Sequence, residues 1–384
     1  MDLVAGRVYA DERRPIRHID GFLLLVTAIL LLLGFILIYS ATNQTLRLDR
    51  LDPFARVNRQ MVTAVIGMVL LLFMATFDYR FLKVYAGFIF VGVLLSLVLV
   101  HVPFLGSSAA GAQRWFEIAG GAGGLQITPS EFAKIGLIVM LAASLSELKR
   151  DTPTVQDLIR ICGIALVPLM LVFIQPDIGT SIVFVAIAGG MLLVAGVRGR
   201  HLGALLAISL VMIAAAFQLG VIKEYQLDRL RVFIDRENTP ADVRYNLDQA
   251  EIAVGSGGLF GQGYLHGRQT TLDYVPEQHT DFIFTVAGEE FGFVGAVFVL
   301  TLFALLLWRS IRTAFLSKDP FGTYLATGVA IMFAVQMFVN IGMVIGIMPI
   351  TGIPLPFLSY GGSSMLASCM GVGILLNVHM RRFK

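Results

Sequence analysis

The sequence predicts an all-α, polytopic membrane protein with about ten transmembrane helices. Hydrophobic residues make up 57% of the 384 residues, charged residues only 14%, and the mean hydropathy is +0.79. A soluble domain has too little interior to bury that much apolar surface. Residues 1–384 are therefore predicted to form a single integral membrane domain. The two cysteines, Cys162 and Cys369, lie in apolar runs, which indicates packing residues rather than a disulfide or metal ligands.

Ten apolar runs are long enough to cross a hydrocarbon core of roughly 30 Å, which takes about 20 helical residues. They cover about 20–41, 60–77, 82–104, 129–147, 158–175, 179–196, 202–221, 281–308, 321–347 and 356–378. The first run is too long for the apolar part of a signal peptide, and no small-residue cleavage site follows it. It is predicted to be an uncleaved anchor. An even number of spans places both termini on one side of the membrane.

Positive charge in the short loops predicts the orientation of these spans. Most of the 29 Lys and Arg residues fall on the side that holds the N-terminus, Arg13, Arg17, Arg309 and Arg382 among them. We therefore expect both termini to be cytoplasmic. The segment of about 222–280, between the seventh and eighth spans, is then a long extracytoplasmic loop.

Asp281 lies where the polar end of this loop becomes the apolar eighth span. Two interpretations fit the position. Asp281 is either an N-cap or first-turn acid that satisfies free backbone amides and the helix dipole, or a functional carboxylate at the membrane surface. The local sequence alone favours neither.

Glu289 and Glu290 follow about eight residues later, which is roughly 12 Å deeper if the helix starts at the membrane surface. Carboxylates at that depth are costly, and they are usually functional or paired. We therefore expect a partner or a function for both acids.

A second polar cluster opens the fourth span. Thr128, Pro129 and Glu131 have the spacing of a capping box with proline at the first helical position, which gives Glu131 a structural role. That motif does not account for Lys134, which lies three residues further along the same helix face. Residues spaced in this way can form an ion pair, and a lysine one turn below the surface either extends to it or neutralises a partner. We favour a pair with a functional role.

Three further outer segments contain turn residues. Asp177 lies in the tight turn between the fifth and sixth spans, and a structural role in that turn is favoured. The glycines between Gly255 and Gly263 do not match the dinucleotide fingerprint, so they predict close backbone packing or a phosphate-facing turn. The run from Pro349 to Ser364 is predicted to be broken helix at membrane depth, which requires cover by protein or a wet cavity.

Several of these motifs together resemble the SEDS family of bacterial cell-wall synthases, over nearly the whole chain. The amino-acid sequence at 349–356 is more similar to RodA, the elongation branch, than to FtsW, the division branch. The motifs that carry the resemblance are Pro276–Phe284, Arg114–Trp115, Pro129–Lys134, Gln175–Thr180, Gly255–Gly263 and Pro356–Ser364.

The resemblance implies a ten-helix glycosyltransferase that polymerises lipid II into glycan strands, for cell-wall elongation and cell shape. It places the protein in the bacterial cytoplasmic membrane, with a class B penicillin-binding protein as the cross-linking partner. Lipid II and membrane lipid are the other expected partners, and nothing in the sequence indicates nucleic-acid binding.

The residues at the predicted outer end can supply this chemistry. A lipid-linked sugar pyrophosphate needs a base for the attacking hydroxyl, cations for the leaving group and an apolar groove for its tail. Asp281 is the candidate catalytic base, since one base suffices for a transfer that inverts the anomeric carbon. The sequence indicates no metal site and leaves open whether a divalent cation assists. The candidate substrate-binding residues are Arg114, Trp115, Glu131, Lys134, Arg229, His279 and Ser359.

Two other classes of function compete with the synthase. A transporter or flippase for a lipid-linked precursor would use intramembrane charges such as Glu131, Lys134, Glu289 and Glu290. A scaffold would only position the cross-linking partner. Polar groups through the whole depth of the membrane would favour the flippase, whereas the inner loops are mainly short and basic. This distribution favours the synthase.

Overall fold

The chain folds almost entirely into helices. The structure is a computed structural model and describes residues 18–100, 102, 107–109, 112–118, 125–148, 153–218, 224–236 and 238–382. The helices are α1 (Gly21–Leu48), α2 (Ala55–Thr76), α3 (Arg80–Val84), α4 (Ala86–Leu99), α5 (Pro129–Ser146), α6 (Val155–Ile174), α7 (Ile178–Val194), α8 (Gly199–Gln218), α9 (Glu224–Ile234), α10 (Ala241–Ser256), α11 (Arg268–Thr271), α12 (Ile283–Leu316), α13 (Pro320–Val344) and α14 (Gly362–Met380).

Each of the ten predicted spans coincides with one helix, namely α1, α2, α4 to α8 and α12 to α14. Within the described residues, seven of these helices are long and apolar enough to cross a membrane, and α4 and α7 are shorter apolar helices. The prediction of a helical, multi-pass membrane protein is confirmed.

Polar residues just before the spans fix where several of them begin. Asp20 caps α1 by accepting a hydrogen bond from Leu23 N at 3.0 Å. Asp177 caps α7 and accepts from both Thr180 N and Thr180 Oγ1, so its predicted structural role is confirmed. Asp319 caps α13, whose first residue is proline. Each carboxylate accepts a hydrogen bond from a backbone N–H group in the first turn, where no carbonyl of the helix is available to accept it.

The spans pack closely where glycine faces a neighbouring backbone. Helix α14 packs along α2, and α13 packs along both α12 and α5. A side chain at Gly373 of α14 would place its Cβ 2.6 Å from Leu71 O of α2, so only glycine permits this approach. Cys369 is buried in the same interface, and both cysteines are free thiols, as predicted for packing residues.

A small sheet lies between α4 and α5. Strands β1 (Ser107–Ala109), β2 (Ala112–Ile118) and β3 (Leu125–Ile127) are antiparallel in the order β1-β2-β3. The sheet leads directly into the start of α5 and lies next to α14. It therefore belongs to the same end of the bundle as the predicted outer motifs.

The segment predicted as one long loop contains the helices α9, α10 and α11, and its last part packs against α12. Helix α12 is kinked at Gly292, where φ is 65° and ψ is −158°. The loop occupies the kink, because Phe293 N and Val294 N donate to the carbonyls of Gly258 and Leu259 at 2.9 and 3.1 Å. The glycine run thus acts by close backbone packing, the first of its two predicted roles.

Residues 349–361, between α13 and α14, are non-helical, whereas the predicted broken helix extended to Ser364. Ile353, Leu355 and Leu358 are buried by the surrounding protein, which meets the requirement for irregular backbone at membrane depth. Helix α14 begins at Gly362, several residues later than the predicted tenth span. This segment lies beside Asp281 and forms one wall of the candidate site.

Candidate functional site

Asp281 lies in a tight turn and not in the helix that follows it. Glu277, with φ of 53°, accepts hydrogen bonds at its carbonyl from Thr280 N and Asp281 N, both at 3.1 Å. Helix α12 then begins at Ile283 with Phe282 as the N-cap residue, and no side chain caps it. The interpretation of Asp281 as an N-cap or first-turn acid is therefore wrong. The half-buried carboxylate is held by the turn and by contacts with other segments.

A buried amide fixes the backbone of Asp281. Asn340 of α13 donates from Nδ2 to Asp281 O and to Ile353 O, both at 2.7 Å. One side chain thereby ties the turn before α12 to the irregular segment before α14. Since Asn340 is fully buried, losing either hydrogen bond would leave a buried polar group unpaired.

The Asp281 carboxylate and the Arg229 guanidinium both border the space that Gly352 leaves open by lacking a side chain. Its φ is +73°, and a Cβ built on it would lie 3.2 Å from Asp281 Oδ2 and 3.8 Å from Arg229 Nη1. The sequence placed Arg229 in the distant outer loop; helix α9 brings it to Asp281. A candidate base and a candidate cation for the leaving group thus lie on one side of Gly352.

His279 is a neutral partner for a cation. Arg56 of α2 lies with Nη1 2.9 Å from His279 Nε2, and because a guanidinium only donates, Nε2 accepts and the ring proton lies on Nδ1. Burial, and then the charge of Arg56, lower the pKa of His279 to about 3. At neutral pH the positive charge at this position therefore belongs to Arg56. Tyr360 N donates to His279 O at 2.8 Å and fixes the residue against the irregular segment.

Ser359 is buried within the irregular segment. Its Oγ accepts from Leu355 N at 2.8 Å, and its carbonyl accepts from Gln60 Nε2 of α2 at 3.1 Å. Gln60 Oε1 accepts in turn from Gly361 N at 3.2 Å. These hydrogen bonds shape the wall beside His279. A role of Ser359 in substrate binding stays a prediction.

Glu131 and Lys134 form the predicted ion pair. Lys134 Nζ donates to both carboxylate oxygens of Glu131 at 2.7 Å, and the lysine is only 1% exposed. The predicted capping box is wrong, because the Thr128 side chain makes no capping hydrogen bond. Thr128 N instead donates to Ser363 Oγ of α14 at 2.8 Å. The pair neutralises an ammonium and a carboxylate that are both buried, and each charge would be costly there without its partner.

The last predicted pair, Arg114 and Trp115, lies on β2. Trp115 is half-buried and is paired in register with Ser107 of β1. The side chain of Arg114 falls outside the described residues.

Glu289 and Glu290 hold the loop against the kinked helix. Glu289 accepts from Gln269 N, Thr270 N and Thr270 Oγ1 at 2.7 to 2.9 Å, and so caps α11. Glu290 Oε1 accepts from Ser40 Oγ of α1 and from Leu265 N. Both acids are paired, in agreement with one of the two predicted alternatives.

The chain matches one protein family over nearly its full length. The family described as "Cell cycle protein", FtsW/RodA/SpoVE, matches residues 21–384. The chain belongs to this family. The resemblance inferred from the motifs is therefore confirmed, and the site above lies at one end of the helical bundle of an FtsW/RodA/SpoVE protein.

Relatives from both branches of the FtsW/RodA/SpoVE family are similar to the chain. The probable peptidoglycan glycosyltransferase FtsW of Geobacter sp. (strain M18) is 37% identical, over 96% of this chain and 98% of its own length. The peptidoglycan glycosyltransferase MrdB of Escherichia coli (strain K12) is 36% identical, over 95% and 94%. These sequence identities are too similar to assign the chain to either branch.

Solved structures of the FtsW/RodA/SpoVE family have the same fold. A chain from a peptidoglycan synthase complex that coordinates polymerization and crosslinking is 31% identical, with a TM-score of 0.79 over 95% of this chain and 99% of that one. The rod shape determining protein RodA of Thermus thermophilus is 30% identical, with a TM-score of 0.68 over 95% and 98%. The membrane fold is thus shared over the whole length compared.

Three residues of this FtsW/RodA/SpoVE site were missed by sequence reasoning, namely Arg56, Asn340 and Gly352. Arg56 lies in a segment with several arginines, and Asn340 is a polar residue in an apolar span. An intramembrane polar residue is a signal for function or packing, so Asn340 could have been noticed. Nothing near Arg56 in the sequence indicates His279 as its partner.

Proposed function

We propose that this protein is a peptidoglycan glycosyltransferase that polymerises lipid II, with Asp281 as the general base. The observation that carries the proposal is that the Asp281 carboxylate does not cap α12 and lies on the same side of Gly352 as the Arg229 guanidinium. A base beside a cation is the arrangement that this transfer needs. Membership of a family whose relatives are named peptidoglycan glycosyltransferases supports the same reaction.

The proposed reaction has one bond-making and one bond-breaking event. A sugar hydroxyl of one lipid-linked unit attacks the anomeric carbon of another, and its proton passes to Asp281. The bond between that carbon and the pyrophosphate breaks, and the electron pair leaves with the pyrophosphate. Because the hydroxyl attacks opposite to the leaving group, the anomeric configuration inverts.

Cations around the turn would stabilise the charge that develops on the pyrophosphate. Arg229 is exposed and lies beside Asp281, and Arg56 is held by neutral His279. In our proposal Arg229 contacts the pyrophosphate, while His279 orients Arg56 towards the bound substrate. The proposed roles of Arg114, Trp115, Glu131, Lys134 and Ser359 are contacts with the substrate or support for the groups that bind it.

The partner proposed from the comparison is a class B penicillin-binding protein in the bacterial cytoplasmic membrane. The similar chain of known structure belongs to a synthase complex that coordinates polymerization and crosslinking, and cross-linking requires a transpeptidase. The proposed role in elongation and cell shape rests on the run at 349–356, since FtsW and MrdB relatives are almost equally similar.

A flippase for a lipid-linked precursor is the alternative function. The described charged groups of the candidate site lie at one end of the bundle, around the turn at 277–282 and the start of α5. A translocation path needs polar groups across the full depth. The distribution favours the synthase.

Incubation of the purified protein in detergent with lipid II separates these functions. The solution has no sealed compartments, so a flippase leaves lipid II unchanged, whereas the synthase produces glycan strands. We expect strands to form, with a higher yield when the transpeptidase is present. Unchanged lipid II in both reactions would exclude the proposed activity.

A further inference from the structure

The loop packed against the kink of α12 lies at the level of the membrane interface. Arg309 Nε of α12 contacts Asp20 Oδ2 at the start of α1 at 2.8 Å, which marks one end of both spans. A hydrocarbon core of roughly 30 Å takes about 20 helical residues. Counted from Asp20 and from Arg309, that length ends near Ser40 on α1 and near Glu290 on α12. The hydrogen bond between Ser40 and Glu290 shows that the two counts end at the same level.

A polar cavity of about 380 Å³ opens at this level. It is lined by Ser256, Gln262, Arg268, Gln269 and Glu289. Hydrogen bonds hold its walls in place: Gln262 Nε2 donates to Ser256 Oγ at 2.8 Å, and Arg268 N donates to Gln262 Oε1 at 3.2 Å. The Glu289 carboxylate is occupied by backbone amides of α11. The residues that line the cavity are therefore polar, and hydrogen bonds within the protein fix most of them in position.

Two residues that line the cavity, Arg268 and Gln269, each have a polar group without a partner in the part of the chain that the structure describes. The exposed guanidinium of Arg268 makes no hydrogen bond or ion pair there. The Gln269 Oε1 atom is buried and accepts no hydrogen bond. A guanidinium matches the oxygens of a phosphate, and an unpaired amide oxygen accepts from a hydroxyl. Together these groups suit a phosphate ester that carries a hydroxyl group.

An apolar surface lies directly below the cavity, towards the membrane centre. Leu259 and Phe260 are 66% and 81% exposed, and their backbone is fixed because Val294 N donates to Leu259 O. Phe293 and Val294 of α12 are also exposed there. Polar groups at the interface with apolar groups beneath them match a lipid, with its headgroup above and its chains below.

We propose that this cavity binds an anionic phospholipid of the leaflet that contains the α9–α11 segment. The phosphodiester lies against Arg268, a headgroup hydroxyl donates to Gln269 Oε1, and an acyl chain covers Leu259 and Phe260. The site is distinct from the proposed catalytic turn, because Asp281 lies before the first residue of α12 and Glu289 lies about 9 Å along the helix axis from that residue, Ile283. The proposal does not depend on the proposed transferase activity.

Native mass spectrometry of the purified full chain tests this site by titration with phosphatidylglycerol and phosphatidylcholine. We expect phosphatidylglycerol to bind about tenfold more tightly, because phosphatidylcholine carries the same phosphodiester but has no hydroxyl for Gln269 Oε1 and places a quaternary ammonium near Arg268. Arg268→Gln should weaken the binding of phosphatidylglycerol and reduce the preference for it, and Arg268→Lys should keep part of the affinity. Arg47→Gln removes a charge from an exposed arginine near one end of α1 that is not among the residues lining the cavity, and it should change nothing. Phe260→Ser should weaken both lipids.

Competition distinguishes the source of the phosphate. Glycerol phosphate, which has no acyl chains, should not displace phosphatidylglycerol at equal concentration, and neither should lipid II. Displacement by glycerol phosphate would show a site for soluble phosphate, and displacement by lipid II would show a substrate subsite; either result overturns the proposal. Equal affinity for the two phospholipids, or an affinity for phosphatidylglycerol that is unchanged in Arg268→Gln, would also overturn it.

Discussion

Lys134 carries a positive charge although the residue is only 1% exposed. Its ion pair with Glu131 is the feature of the site that follows most directly from the sequence. The i, i+3 spacing with Glu131 was sufficient to predict the pair. The capping box was predicted from an equally local pattern and is wrong, because Ser363 of α14 supplies the contact to Thr128 N instead. Local spacing identifies pairs on one helix, but it cannot show which groups a distant helix supplies.

Breaking the Glu131–Lys134 pair should abolish activity and lower stability. Glu131→Ala or Lys134→Ala leaves an uncompensated buried charge, at a cost of about 3–5 kcal/mol. The double variant Glu131→Leu with Lys134→Met removes both charges and should recover the thermal stability measured by unfolding. If the pair has a functional role, polymerisation of lipid II stays absent in the double variant. Recovery of both properties would mean that the pair is only structural.

Protonation of His279 should destabilise the protein in acid. Burial and the Arg56 charge lower its folded-state pKa to about 3, below the unfolded value of about 6.5. The stability that neutral His279 contributes is thus fully present above pH 6.5 and is lost as the pH falls towards 3. We expect the difference in unfolding temperature between the wild type and His279→Gln to change between pH 6.5 and 4 and to be constant from pH 7 to 8. A difference that changes from pH 7 to 8 would contradict a neutral His279.

Among the secondary-structure elements, the presence of each helix could be predicted better than the structure of the segments between the helices. Every predicted span has its helix because long apolar runs are an unambiguous signal. The start of α12 was predicted at 281 and lies at Ile283, since the turn formed by Glu277 cannot be recognised from hydropathy. The three-stranded sheet and the packing of the glycine run depend on hydrogen bonds between distant backbone segments, for which the sequence shows no periodic pattern.

The contact between the glycine run and α12 is testable at two neighbouring glycines. A Cβ at Gly257 would lie 2.0 Å from Gly288 O, whereas nothing lies within 4 Å of a Cβ at Gly255. Gly257→Ala should therefore separate the loop from α12 and lower the unfolding temperature. Gly255→Ala is the matched control near the end of α10 and should be neutral or stabilising by up to about 1 kcal/mol. Equal unfolding temperatures for both variants would show that the loop does not depend on this contact.

At the scale of the whole molecule, short-loop charge predicts cytoplasmic termini and an outward-facing segment of about 222–280. Ala241→Cys introduces a thiol at an exposed position three residues from Arg244. It should react with an impermeant thiol reagent in cells whose outer envelope has been opened. Lys318→Cys, in the exposed turn between α12 and α13, should react only after lysis of the inner membrane. The reverse pattern would invert the orientation.

Replacement of Asp281 by asparagine tests whether Asp281 is the general base. Asp281→Asn keeps the size of the side chain but removes its basicity, so polymerisation of lipid II should fall by roughly 10²–10⁴-fold. Asp177→Asn is the matched control, because Asp177 is a helix cap and asparagine caps as well as aspartate; its activity should stay near that of the wild type. Both proteins are assayed after folding and partner binding have been verified. Near-normal glycan product from Asp281→Asn would show that Asp281 is not the general base.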